Sequence, residues 1–190
     1  PLAPNSGFLL DYEAGLASRA FGSGVEFLHL EASAAWFVPL TKPTPQRQFV
    51  PFLHFRHAAG WILPHGDDAF LPAPERFYMG GQESVRSFLF DGMGPRDEGG
   101  NPTGGELFWF LSGELQYPVF GPLHVVGFLD VGNLAASPAD YDPGATAFAP
   151  GAGLRLYTPI GAILLDYGYN LVRNDGDPVG AWSFGFGFSF

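Results

Sequence analysis

The sequence predicts an all-β fold: an antiparallel transmembrane β-barrel of about eight strands, with one long loop on the extracellular side. Three observations carry that prediction. At the end of the chain Trp182, Phe184, Phe186, Phe188 and Phe190 alternate with Ser183, Gly185, Gly187 and Ser189. Five aromatics on one face, backed by glycine and serine, would overpack a soluble core, whereas acyl chains solvate them readily. Composition points the same way. Aromatics are 16% and glycines number 27. Charged residues are only 15%, against the usual proportion of about a quarter. A soluble β-sandwich shares the glycines and aromatics but carries more charge on its outer faces. Finally, the connections alternate around the chain. Those after the first, third, fifth and seventh strands include the longest, while those after the second, fourth and sixth are shorter and Pro-rich. Short turns at one rim and long loops at the other are the barrel pattern.

The strands follow in order. Phe8 to Ser18 places Phe8, Leu10, Tyr12, Ala14 and Leu16 on one face and Asp11, Glu13 and Gly15 on the other. This period of two marks a half-buried strand. The second runs from about Val25 to Val38, with Leu28, Leu30, Ala32, Ala34, Trp36 and Val38 opposite His29, Glu31 and Ser33. Phe49 to Trp61 is a third, with His54 and Arg56 facing away from Leu53, Phe55, Ala59 and Trp61. From Ile62 to Gly104 the alternation stops, and loops of that length in compact β domains are usually functional. Gly105 to Tyr117 is the fourth strand, with Ser112, Glu114 and Gln116 on its polar face. Leu123 to Val131 is the fifth, with His124 and Asp130 on its polar face. Phe148 to Thr158 carries Gly153, Arg155 and Tyr157 opposite Leu154 and Leu156. Ala162 to Leu171 carries Asp166 and Gly168 opposite Ile163, Leu165, Tyr167 and Tyr169. The aromatic strand closes the series.

The formal net charge is −10, with Lys+Arg 9 against Asp+Glu 19. Phosphate repulsion therefore excludes nucleic acid as an expected partner. There is no Cys, so disulfides and thiolate chemistry drop out. No uninterrupted apolar run is long enough for a membrane helix. The opening Pro1-Leu2-Ala3-Pro4 shows no signal peptide, as expected of a mature product or a piece of something longer. His54 and His57, three apart on a strand, point to opposite faces, so no metal site is expected. No nucleophile elbow, phosphate loop or zinc-protease motif is present. No catalytic residue, enzymatic activity or cofactor is expected.

Several segments carry a family resemblance, in order along the chain. Phe77-Tyr78-Met79-Gly80-Gly81 precedes Ser84-Val85-Arg86-Ser87-Phe88, and Thr103-Gly104-Gly105 and Gly113-Glu114-Leu115-Gln116-Tyr117-Pro118 come next. Phe128-Leu129-Asp130-Val131-Gly132-Asn133 follows, then Gly151 to Gly161 and Leu165-Asp166-Tyr167-Gly168. Together they resemble the bacterial surface-antigen superfamily, the outer-membrane assembly and translocation barrels of the BamA, TamA and FhaC type. The loop segment is similar to that family's V-R-G-F motif, with Ser87 where the family has Gly. The resemblance implies the bacterial outer membrane and a role in inserting or translocating proteins. It implies membrane lipid as partner, with barrel clients or a second barrel-forming chain. A small structural barrel without assembly activity, or a rim enzyme acting on lipid, is the alternative. The resemblance also implies that residues 1–190, as one barrel domain without POTRA modules, match the C-terminal half of a barrel with about twice as many strands. A final strand ending in Phe190 is similar to the C-terminal targeting signal of bacterial outer-membrane proteins.

Within that resemblance the loop motif is Gly80, Gly81, Val85, Arg86, Ser87 and Phe88. The family's motif arginine pairs with acidic side chains on the inner wall, and Glu114 and Asp130 are the matching positions. The residues agree, since both lie on polar faces of the adjacent strands after the loop, and an arginine fork suits two carboxylates. Arg155 and Asp166, on neighbouring polar faces around a short turn, are expected to form a cross-strand pair. One conflict stays open. A closed barrel of about eight strands is filled by its own side chains and has no room for an inward loop of about forty residues. Either the loop sits outside a closed monomeric barrel, which is the expectation, or the strands do not close and pair with another chain.

Overall fold

A computed structural model describes residues 6–42, 44, 49–65, 71–174 and 176–187. Eight strands form one antiparallel sheet: β1 (Gly7–Ala17), β2 (Phe27–Pro39), β3 (Phe52–Pro64), β4 (Leu107–Phe120), β5 (Leu123–Ala135), β6 (Ala147–Thr158), β7 (Gly161–Tyr169) and β8 (Gly180–Gly187). Each strand pairs with its sequence neighbour in a simple meander. The turns at 121–122 and 159–160 are tight, while 65–106 is the long loop. Phe188 and Phe190, expected in the targeting strand, lie outside the described residues.

Register fixes which way every side chain faces. In β2, Leu30, Ala32 and Trp36 pair with Trp61, Ala59 and Phe55 of β3, all on the outer face. In β8, Trp182, Phe184 and Phe186 are 67%, 69% and 60% exposed, beside Tyr167, Leu165 and Ile163 of β7. That band of exposed aromatics and aliphatics is the lipid face. The opposite face carries Glu114, Asp130, Arg155 and Asp166, all buried, together with Ser183, Gly185 and Gly187.

Most strand boundaries shift by one to four residues from those the pattern predicts, and β5 runs on to Ala135; two shifts have a clear local cause. β3 begins at Phe52, not Phe49, because Pro51 has no N–H for the ladder. Phe49 and Val50 instead turn inward, where Val50 is 1% exposed and Phe49 meets His124 and Tyr157. At the far end of β4, Pro118 remains in the strand beside a register irregularity, a place where proline is tolerated.

The expectation of a closed monomeric barrel is corrected. Among the described residues β1 and β8 do not pair, so the sheet is open at both ends. The reason is volume. The inner face is covered by the long loop, and a sheet curved tightly enough to close on eight strands would expel it. The loop is seated inside, not above the rim. Phe77, Met79, Val85, Phe88 and Met93 of the loop pack on Phe27, Ile62, Phe108, Phe110, Leu134, Ala147 and Ala149 of the wall. These form the main hydrophobic core, so the interior of this fold is a loop against a sheet.

Candidate functional site

The loop is built to carry its segment 80–88 inward. Short ladders brace it at Phe77↔Gly105, Met79↔Met93 and Arg96↔Pro102. Arg76 closes its mouth, donating to Leu71 O and Thr103 O at 3.2 Å each. On the exposed part of the loop, Asn101 N–H donates to Asp97 and holds that carboxyl below its ordinary value. Gly80 and Gly81 have φ of 121° and 85°, where side chains are strained. A Cβ at Gly80 would also meet Leu89 O at 2.3 Å. The Ser84 hydroxyl accepts from Gly80 N–H at 2.7 Å, and Phe88 N–H donates to Val85 O at 3.2 Å. Val85, Arg86 and Ser87 are completely buried, and Phe88 nearly so.

Arg86 then reaches three carboxylates. Its Nε and Nη2 donate to the two oxygens of Asp130 at 2.8 Å each, a bidentate fork. Nη1 donates to Glu114 at 2.6 Å and to Asp166 at 3.3 Å, and the second Nη2 proton goes to Ser112 Oγ at 3.2 Å. Every N–H of the guanidinium is used. The Arg86 backbone N–H donates to Asp130 as well, at 3.1 Å. The planar face is not left bare, because the guanidinium carbon sits 3.4 Å from the Phe128 ring centroid.

Arg155 and Asp166 are paired, with Nη1 and Nη2 donating to the two Asp166 oxygens at 2.5 Å and 2.8 Å. They are not a separate pair. Arg155 Nη2 also donates to Glu114 at 3.1 Å, so Arg86, Arg155, Glu114, Asp130 and Asp166 form one buried network. Its remaining acceptors are filled by neutral donors: Gln116 to Glu114 at 2.5 Å, Ser112 to Asp130 at 2.7 Å and Gln82 to Asp166 at 3.0 Å. Each oxygen of the three carboxylates therefore accepts at least one hydrogen bond, which offsets the cost of burying them. Burial alone would favour a neutral Arg86. The hydrogen bonds and charge of Asp130, with Glu114 and Asp166, outweigh burial and hold its pKa above the ordinary value.

Ser87 departs from the motif's glycine without loosening the fit. Its hydroxyl donates to Asn170 Oδ1, and Asn170 Nδ2 donates onward to Pro178 O at 2.9 Å. The close backbone approach is made from the wall instead. A Cβ at Gly168 would lie 2.7 Å from Ser87 N and 2.8 Å from the Arg86 carbonyl carbon. Gly132, within the Phe128–Asn133 segment, likewise leaves room for Met79 and Val85.

Sequence reasoning brought together Arg86, Glu114 and Asp130, and separately Arg155 and Asp166. It missed Asp166 as a third partner of Arg86, and Gln82, Ser112, Phe128 and Asn170. Ser112 shares a face with Glu114 at strand spacing, a signal that could have found it. Gln82 and Asn170 lie in loop or at a strand end and carry no periodic signal. His54 and His57 do face opposite ways, His54 buried and His57 exposed, and no metal-binding cluster occurs among the described residues. His54 stacks on Phe37 at 4.1 Å instead.

An antiparallel transmembrane sheet whose long loop is folded onto its inner wall and pinned there by a buried arginine defines a class of protein, the outer-membrane β-barrels with an internal loop. Within that class the chain belongs to the Omp85 superfamily, whose domain profile, "Omp85 superfamily domain", matches residues 1–190. It is 33% identical over 124 residues to the outer membrane protein assembly factor BamA of Nitratidesulfovibrio vulgaris, covering 63% of this chain and 15% of that protein. It is 31% identical over 122 residues to the chloroplastic outer envelope protein 80 of Arabidopsis thaliana, covering 60% of this chain and 14% of that one. A third relative is the sorting and assembly machinery component 50 homolog A of Xenopus laevis, at 35% identity over 127 residues, 62% of this chain and 25% of that protein. The chain thus spans a quarter or less of these curated relatives. Among solved structures, BamA of Haemophilus ducreyi lacking POTRA domains 1–3 superposes with a TM-score of 0.77 at 18% identity. That fold match covers 95% of this chain and 38% of the other.

Proposed function

We propose that this chain is the C-terminal half of the wall of a larger outer-membrane barrel that inserts or assembles other barrel proteins. One observation carries the reading: the loop is seated on the inner wall by a guanidinium whose every donor is used on buried acceptors. A barrel that served only as a wall would gain more from apolar packing, since buried ion networks seldom add net stability. Such a network does fix one loop position. The open edges at β1 and β8 support a larger barrel, because unpaired strand edges are not tolerated in lipid. The relatives' names, BamA and sorting and assembly machinery component 50 homolog A, favour assembly as the activity. The place of action in this reading is the bacterial outer membrane, with lipid and unfolded barrel proteins as partners.

The test uses the full-length natural protein in liposomes. An unfolded outer-membrane barrel is added, and its folding is followed by heat-modifiable gel shift. Faster folding than in empty liposomes is expected, and Arg86→Lys should reduce the acceleration. Client folding no faster than in empty liposomes would overturn the assembly reading and leave a structural barrel.

A further inference from the structure

Among the described residues the last strand pairs with one strand, β7. Its inner face offers Ala181, Ser183, Gly185 and Gly187, so among the described residues of the strand Ser183 is the inward side chain able to hydrogen-bond. That hydroxyl donates to Gln82 Oε1 of the long loop at 2.8 Å. The other end of the same amide donates to Asp166 of β7 at 3.0 Å. Gly185 sits beside the bridge, and a Cβ there would lie 3.1 Å from Gln82 Cγ. The glycine thus leaves the Gln82 stem lying flat against the backbone of β8.

We propose that Gln82 is a positioning residue that couples the seat of the inward loop to the attachment of β8. The amide bridges two strands at once, and one of its partners, Asp166, is also held by Arg86 and Arg155. Withdrawing the loop removes Gln82 from Ser183 and leaves β8, among the described residues, attached through its ladder and side-chain contacts to β7. By linkage, fraying of β8 removes an anchor from the loop, since coupling between two sites is reciprocal. The outermost strand of this sheet is thereby made sensitive to what happens in the lumen. This inference rests on the geometry of the loop and not on the assembly reading, so either can fail alone.

The experiment is amide hydrogen exchange, by mass spectrometry, on the full-length protein in phospholipid vesicles. Gln82→Ala and Ser183→Ala should each speed exchange in 181–187 several-fold, the scale of one or two neutral hydrogen bonds, with β5 to β7 unchanged. The double variant should be no faster than either single one, because both remove the same bridge. Ser183→Thr, which keeps the hydroxyl, should stay near the wild-type rate. Ser183→Ala should also make the loop more readily cut by protease, the reciprocal effect. Unchanged β8 exchange, additive effects in the double variant, or equal acceleration through β5 to β7 would each overturn the proposal.

Discussion

Arg86 could not be replaced by another cation. Lysine has the charge but a single nitrogen, and its three protons cannot span Asp130, Glu114, Asp166 and Ser112 together. Arg86→Ala removes the shared partner of three buried carboxylates, a kind of change that costs about 3–5 kcal/mol where the site is dry. The temperature of the heat-modifiable gel shift should fall clearly with Arg86→Ala. Arg86→Lys should fall between the two and leave the loop open to protease. A wild-type melting profile for both would show that the loop is anchored elsewhere. Gly168 is the complementary test from the wall. Gly168→Ala places a methyl within 2.8 Å of the Arg86–Ser87 backbone, which has no flexible side-chain end to move aside. Loop protease resistance should drop although every charged group is intact. Retained resistance would mean that the loop seat tolerates a shift of the backbone.

At the scale of the strands, facing decides the cost of a charge. Ala32 and Ser33 are neighbours near the middle of β2, the first exposed on the lipid face and the second half-buried on the inner one. Ala32→Arg should impair folding into lipid by about 2–4 kcal/mol if that position lies at the midplane, the cost of a basic residue on a barrel's outer face. Ser33→Arg should cost much less, since it points into a polar recess lined by Asp11 and Glu83 as well as Arg56. Folding yields in vesicles under a urea series compare them directly. The reverse order would mean that the strand is turned by one residue. This facing was legible in the residues: Leu28, Leu30, Ala32, Ala34, Trp36 and Val38 alternate without a break, and a period of two leaves no other reading. The boundaries were less legible. Pro51 displaced the start of β3, and the start of β4 gave way to a loop bridge at Gly105, because local chemistry ends strands where alternation alone would extend them.

At the scale of the molecule, the two free edges are the decisive feature. Cysteines at Leu10 in β1 and Phe186 in β8 should form no intramolecular disulfide in the 1–190 chain, in lipid and at high dilution. A bond needs Cα atoms within about 7 Å, and these strands are not neighbours in the sheet. An intramolecular crosslink would restore the closed barrel.

The sequence by itself determined the class of fold, the number and facing of the strands, and most of the charged network. Alternation is a local property that places Glu114, Asp130, Arg155 and Asp166 on polar faces, and the resemblance of the loop motif supplied Arg86 as the partner of Glu114 and Asp130. Only the tertiary structure decided that the two groups of charges are one network joined where Arg86 also reaches Asp166, that Gln82 belongs to it, and that the sheet stays open around a loop seated inside. Those outcomes depend on distances across the inner wall and on the volume the loop displaces. Neither is a property of any one strand, so no periodicity in the chain could record them.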